Sequence, residues 1–506
     1  MASPLITLRE NTIWENKHGT VSITPRSLCD VWNTWVGPGV SNGPIWRPGL
    51  AGLRALVAQA EAQNQRIRGL GGAWSLSPAA ATHGIMVNTK PLNYIELGFR
   101  DASLDTAFSG NPDALCFAQC GASVLELYQY LEVRGYTLPT SGASNGQTIA
   151  GAVSTGTHGS AHSIGSMQDY ILGLHMVIDG GRHCWIERAS KPVVSPSFCQ
   201  AIGAELLRDD ALFNAAVVSF GSFGLMHAVL FEAEPLFLLE KSLVRMDYAR
   251  VQAALGTLDV EALDLSGGRE LPFHFEVVVN PYRVSRGQRG AYVRYMYKRP
   301  YRPTQASAGG STWVQGDDVM TMLGTVTGWT PHLVPVLLEP ILSAQLAPVQ
   351  GVAGTPGFQF GAADLRGYVM SSEIGVALAD APNAIDAVID VANRFHWSGF
   401  PAIRYVKGSD ATLAFTNFSP TACTIELPSA GSPRTLEAFH RVWDELRARG
   451  IRFTMHWGQM MRENREWIEY GHGARVEEWL AARQSLLGAT GQRAFGSDWL
   501  TACGLG

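Results

Sequence analysis

Charge is scarce in this chain. Only 16% of its 506 residues are Asp, Glu, Lys or Arg, against about 25% in an ordinary globular protein. That excludes a charge-rich disordered chain or a coiled coil. The net charge is −5, from 39 basic and 44 acidic residues. No basic run stands out, so a nucleic-acid partner held by phosphate neutralisation is not expected. No CxxC pair occurs, and Cys116 and Cys120 have no His or Cys pair nearby, so no zinc site is expected. The seven scattered cysteines fit free thiols in a reducing compartment, and a cytoplasmic setting is expected. Residues 1–15 lack a basic start and an apolar run, so no signal peptide is read there. The apolar run from Val334 to Leu342 is too short for a membrane span and carries Pro and Glu. Neither GxGxxG opening a helix nor a GK[ST] phosphate loop is found.

What is abundant is glycine, 54 residues, which lets backbone come close to something else. A chain of this length needs more than one domain. Leu53, Leu56, Val57 and Ala60 have helical spacing, and Arg66 to Arg68 reads as a strand. Ser123 and Glu126 make a capping box for a helix along Val124, Leu127, Tyr128 and Leu131. Strands are predicted at 114–118, 170–179 and 225–232, then at 273–277, 292–297 and 451–457. Helices are predicted around Ile385–Ala392, Phe439–Leu446 and 476–487, and Ser307 to Gly316 reads as a loop.

Two uncharged small-residue loops lie about 70 residues apart. The first is Gly71-Gly72-Ala73-Trp74-Ser75, with Ser77 beyond it. The second runs from Leu138 to Gly165 and offers Ser141, Gly142, Ala143, Asn145, Thr148, Gly151, Ser154, Thr155, Gly156 and Thr157. Backbone N–H groups and hydroxyls can hold a diphosphate without a cation; tight turns between strands would also use such residues.

The first loop resembles the flavin diphosphate loop of the vanillyl-alcohol-oxidase (PCMH-type) FAD oxidoreductases. Gln147 to Ser160 is similar to the second FAD loop of the branch that oxidises sugar lactones and alditols. Ser219 to Val229, including Met226, resembles the end of that FAD domain, and Met455-His456-Trp457-Gly458 resembles the branch's HWG motif. The resemblance implies an α+β fold: an FAD-binding domain of two α/β subdomains over 10–237, a substrate domain with a large antiparallel sheet over 238–445, and a segment, 446–506, that returns to close the site. It implies FAD, a small-molecule substrate and O2 as acceptor. Ala143 lies in the segment where one small residue governs oxygen access.

Departures from the family pattern carry their own expectations. Trp74 stands where the family has its flavin-linking His, and Leu138 where it has its linking Cys, so the FAD is expected to be non-covalent. Glu373 matches the Glu of a Glu-x-Arg segment, but Gly375 replaces the Arg. Gln459 replaces the Lys that follows HWG. With two cations missing, either the substrate is less polar or another cation, for which Arg404 is the candidate, compensates. Glu373 and His456 are the expected base or substrate orienter. His158 is expected to position the second loop near the diphosphate. His274 and Glu276 share one strand face, and with Tyr295 and Tyr297 they are candidates for the cavity wall. Three readings remain open: an oxidase, or a dehydrogenase using another acceptor, of a small molecule bearing an alcohol (or amine); a specialised-metabolism flavoenzyme acting on an aromatic, steroid-like or alkaloid-like substrate; and a non-catalytic flavin carrier.

Overall fold

The structure is a computed structural model that describes residues 5–33, 45–303, 330–361 and 369–506; the loop expected at Ser307 to Gly316 lies outside them. Alternating and helical segments assemble into three main sheets with helices packed between and behind them. The fold is the α+β arrangement expected from the sequence.

The first sheet has four strands in the order Leu5–Arg9, Ser27–Trp32, Ile85–Asn88, Ile67–Leu70. The helix Arg47–Ala62 buries Leu53, Leu56, Val57 and Ala60, its predicted apolar face. The second sheet has six strands, with Leu225–Glu232 between Ile171–Val177 and Leu115–Gln119. Beside it the helix Val124–Glu132 starts with the Ser123–Glu126 capping box, both hydrogen bonds present.

The third sheet has eight antiparallel strands in the order Val349–Gly354, Phe237–Met246, Ala291–Pro300, His274–Val279, Ala402–Lys407, Thr421–Glu426, Glu373–Ala377, Phe453–Met455. Side chains alternate between its faces with period two. Phe275, Val277, Ile403, Tyr405, Ile425 and Ile374 pack in one core with Ile385, Val388 and Val442. Ile385 and Val388 come from the helix Ala381–Phe395, and Val442 from Pro433–Ala448. The intervening residues face the other way and floor a cavity. This pairing explains a correction: Tyr295 and Tyr297 belong to the core, and their hydroxyls meet Ser266 and the Gly267 N–H, while their neighbours Arg294 and Met296 face the cavity.

Two other expectations change. The stretch Leu138 to Gly165 contains a helix, Ile149–Thr155, closed by Gly156 at φ +85°; with only 7 residues, most of them small, it reads as part of a loop. One terminal helix was expected, but Arg465–His472, Arg475–Leu486, Ala489–Ala494 and Asp498–Ala502 are all helical. They pack back on the first part of the chain: Trp479 Nε1 donates to the Val218 carbonyl and Arg483 Nε to that of Ser222.

Candidate active site and cofactor cradle

The first loop leaves the strand Ile67–Leu70 and settles on the second. A Cβ on Gly71 would lie 1.9 Å from Thr148 Oγ1, and one on Gly72 would lie 2.6 Å from the Gly146 carbonyl. The glycines are therefore needed for loop-on-loop contact as well as for approach to a ligand. Trp74 is pinned between the two loops. Lys17 Nζ sits 3.8 Å over its ring, His18 meets it edge-on, and its indole covers Gly146. The His456–Gly458 segment closes the same place, because Leu76 N–H donates to the Gly458 carbonyl (2.8 Å) and Ser77 Oγ to that of Trp457 (2.6 Å).

These loops and the eight-stranded sheet enclose a cavity of about 690 Å³, a size typical of ligand sites. Gly71 to Ser75, Gly142, Ala143, Thr148, Gly151, Ser154, Thr155, Thr157, His158 and Met226 all line it. Three residues expected there are not on its wall. Ser141 turns its hydroxyl to Tyr128 (2.7 Å), Asn145 is buried behind the loop, and Gly156 serves as the left-handed helix stop. Thr148 Oγ1 and Gln147 Oε1 are buried on cavity-lining residues and have no partner among the described residues. Buried polar groups require partners, and an uncharged cradle with unpaired hydroxyl and amide groups fits FAD.

The sheet floor carries the charge. Cross-strand register aligns Leu243, Arg294, Glu276 and Arg404 in one row. A second row joins Val278, Ala402, Glu426 and Glu373. Glu276 accepts from Arg294 Nη1 (2.6 Å) and Arg404 Nε (2.8 Å). Arg404 Nη1 also donates to Glu426 (2.5 Å) and lies 3.6 Å from Glu373. Arg404 is therefore no surface residue; its side chain is 11% exposed. Burial disfavours the charge on Glu276, but Arg294 and Arg404 outweigh that and hold its carboxyl down at about 2. Burial pushes His274 down to about 3, so its ring is neutral.

Other cations do stand where the two were missed, among them Arg404, the candidate from the sequence. Lys241, Arg294 and Arg404 all line the cavity. Gly375 cannot be the Arg of the family pattern for a steric reason: a Cβ there would lie 2.3 Å from the Phe415 carbonyl oxygen. The cation beside Glu373 comes instead from the neighbouring part of the sheet, as Arg404. Sequence reading missed Lys241, Arg294 and Glu426, because pairing across strands far apart in sequence leaves no local signal.

At the edge of this floor, Glu373, His158 and His456 converge, with ligating atoms all within 4.8 Å of one another. His158 Nε2 lies 2.9 Å from Glu373 Oε1 and its Nδ1 lies 2.8 Å from the Gly159 carbonyl. His158 thus pairs with Glu373, while Ser160, two residues on in the second loop, donates to the Phe275 carbonyl. His456 Nδ1 accepts the Gly458 N–H (2.9 Å), which leaves its ring proton on Nε2 when neutral. Burial pushes His456 down to about 4. Burial also disfavours the charge on Glu373, yet His158, His456 and Arg404 outweigh it and keep the carboxyl below its usual range. Gln459 Nε2 donates to Glu373 Oε2 (3.3 Å) and Glu426 Oε1 (3.2 Å).

Against known proteins, residues 50–187 match the family described as FAD binding domain. The L-gulono-1,4-lactone dehydrogenase of Mycobacterium tuberculosis is 29% identical over 257 residues, half of each chain. A putative D-arabinono-1,4-lactone oxidase of Neurospora crassa is 28% identical over 41% of this chain and 33% of its own. A long-chain alcohol oxidase of an uncultured marine euryarchaeote is 30% identical over 40% and 35%. The chain thus spans about half the length of the first of these relatives and less of the others. The fold of cholesterol oxidase from Brevibacterium sterolicum superposes with a TM-score of 0.72 over 98% of this chain and 97% of that one, at 15% identity. Residues 50–187 thus match an FAD binding domain, the curated relatives include sugar-lactone oxidoreductases, and the overall fold is shared with cholesterol oxidase.

Proposed function

We propose that the chain is an FAD-dependent oxidoreductase that oxidises a CH–OH group, with O2 as the final acceptor. The observation that carries this reading is the opening of the Glu373–His158–His456 cluster into the cavity walled by the two FAD loops. FAD, when bound, supplies the two-electron acceptor for the substrate's hydride. Gly71 to Ser75 and Thr148 would hold its diphosphate side. Glu373, ionised and in contact with His158, takes the hydroxyl proton as the carbonyl forms. His456 presents an Nε2–H to the substrate oxygen. Gln459 steadies Glu373, and Arg404 stabilises its charge. Both ring nitrogens of His158 face acceptors, so the His158–Glu373 pair can share the proton that leaves the substrate.

The FAD-binding part corresponds to 10–237 and the substrate part to 238–445; in support, the four- and six-stranded sheets end by Glu232 and the eight-stranded sheet begins at Phe237 in sequence order. The segment 446–506 closes the site through Leu76 and Ser77. The FAD is held non-covalently, since Trp74 and the buried Leu138 offer no nucleophile; acid precipitation should release all yellow flavin to the supernatant, and colour in the pellet would refute this. Seven buried free cysteines favour a reducing, cytoplasmic setting. Among the described residues no helix is long and apolar enough to cross a membrane. The central test is anaerobic mixing of the yellow holoprotein with a panel of alcohols, followed by admission of air. Bleaching of the flavin and stoichiometric hydrogen peroxide are expected. Bleaching without peroxide formation would point to another acceptor, and no bleaching by any alcohol would refute the oxidoreductase reading.

A further inference from the structure

The cavity floor indicates what kind of alcohol it receives, an inference that rests on the oxidoreductase reading above. Lys241, Arg294 and Arg404 line the cavity with Glu276, Glu373 and Glu426, and the two arginines are ion-paired with the carboxylates. All six carboxylate oxygens already accept a hydrogen bond. Glu276 uses Oε1 for Arg404 and Oε2 for Arg294. Glu426 uses Oε2 for Arg404 and Oε1 for Gln459 and Ser371. Glu373 uses Oε1 for His158 and Oε2 for Gln459. Arg294, Arg404 and the three carboxylates are committed to one another, and breaking a buried ion pair is costly; His274 Nε2, Gln359 Oε1 and Gln459 Oε1, which belong to cavity-lining residues, have no partner among the described residues and leave room for a few hydrogen bonds rather than for a new charge. One part of the chamber is apolar: Leu243, Val278 and Ala402 on the floor meet Leu346 and Phe400 in one buried cluster, with Met296 and Phe360 also on the wall. Apolar surface of this kind favours an apolar body.

We propose that the substrate is a neutral alcohol with an apolar body, its single reacting hydroxyl at Glu373 and His456 and its body over Leu243, Val278 and Phe400. Polyols, sugar lactones and sugar acids are disfavoured.

Binding is read separately from turnover. A tertiary alcohol such as 2-methyl-2-undecanol has no hydrogen on its carbinol carbon and cannot be oxidised. Its binding to the holoprotein is followed by thermal shift and by the flavin difference spectrum. The comparison set is 1-decanol, a fused-ring secondary alcohol, xylitol, an aldonolactone and an aldonate. Saturable binding of the tertiary alcohol, with bleaching by 1-decanol or the fused-ring alcohol, supports the proposal, and the better of those two tells chain from ring. Binding of the tertiary alcohol with no bleaching by any alcohol would sink the oxidoreductase reading while leaving the ligand class standing. Xylitol, the lactone or the aldonate binding as tightly as the tertiary alcohol would overturn the proposal, as would no binding of the tertiary alcohol. Phe400→Asn should weaken that binding about tenfold with an unchanged flavin spectrum as the folding control. Met296→Thr is the second variant should Phe400→Asn misfold. Unchanged affinity in a folded variant counts against the proposal.

Discussion

From Gly71 to Ser75 and from Gly142 to Thr157 the loop wall of the cavity carries no charged side chain, whereas the sheet floor opposite carries three cations and three carboxylates. The loop wall is half-buried and the floor largely buried, and they treat polar groups differently. The loops use backbone, hydroxyls and close glycine contacts, so they suit a ligand that brings its own charge. The floor presents full charges and pairs Arg294 and Arg404 with its carboxylates, which sets the field at Glu373. A low overall charge content is thus compatible with a highly charged active site, because the few charges are concentrated and paired.

Four experiments break or sharpen this contrast. The largest effect is expected on the floor at the reacting edge. Glu373→Gln should slow flavin reduction about 10²- to 10⁴-fold while flavin content and melting temperature stay near those of the parent; a change of less than a few-fold would remove Glu373 from the proton transfer. Next is Arg404→Met, which leaves Glu426 and Glu373 without their common cation. Loss of about 3–5 kcal/mol is expected in denaturant unfolding, and Arg404→Met combined with Glu426→Gln should recover part of it. A double variant no more stable than the single would show that the row is not coupled.

On the loop wall, Gly71→Ala drives a methyl into Thr148. A stability loss of about 1–3 kcal/mol and reduced flavin occupancy are expected, and full occupancy with an unshifted melting curve would contradict the loop-on-loop packing. The smallest effect is acid sensitivity. Burial holds His456 at about 4 and His227, His274 and His472 at about 3, below the unfolded value of about 6.5. The folded chain therefore binds fewer protons than the unfolded one. Stability is complete above about pH 6.5 and declines as pH falls from there toward 4. Glu276 and Glu373, held low, add their own loss only below about pH 4.5. A melting temperature lower by several degrees at pH 5 than at pH 7.5 is expected, and a flat profile would argue that these rings are not buried neutral.

Much of the scaffold was legible. The strand Leu225–Glu232 and the helix along Leu53, Leu56, Val57 and Ala60 follow from periodicity alone, and the capping box fixed the start of another helix. The helix Ile149–Thr155 was not legible, since it is only 7 residues long and most of them are small. At the site, the loops stood out by composition. Glu373 and His456 stood out by family resemblance, and so did His158, though in a different role.

By itself the amino-acid order determined the local elements, the uncharged loops and the loss of the linking His and Cys, because these depend on residues near one another in the chain. Only the tertiary structure decided that Arg404 replaces the cation Gly375 cannot supply, that His158 pairs with Glu373 and that Arg294, Glu276 and Glu426 form one neutralised floor. Those contacts join strands up to hundreds of residues apart, and cross-strand register, not sequence spacing, sets which side chains meet.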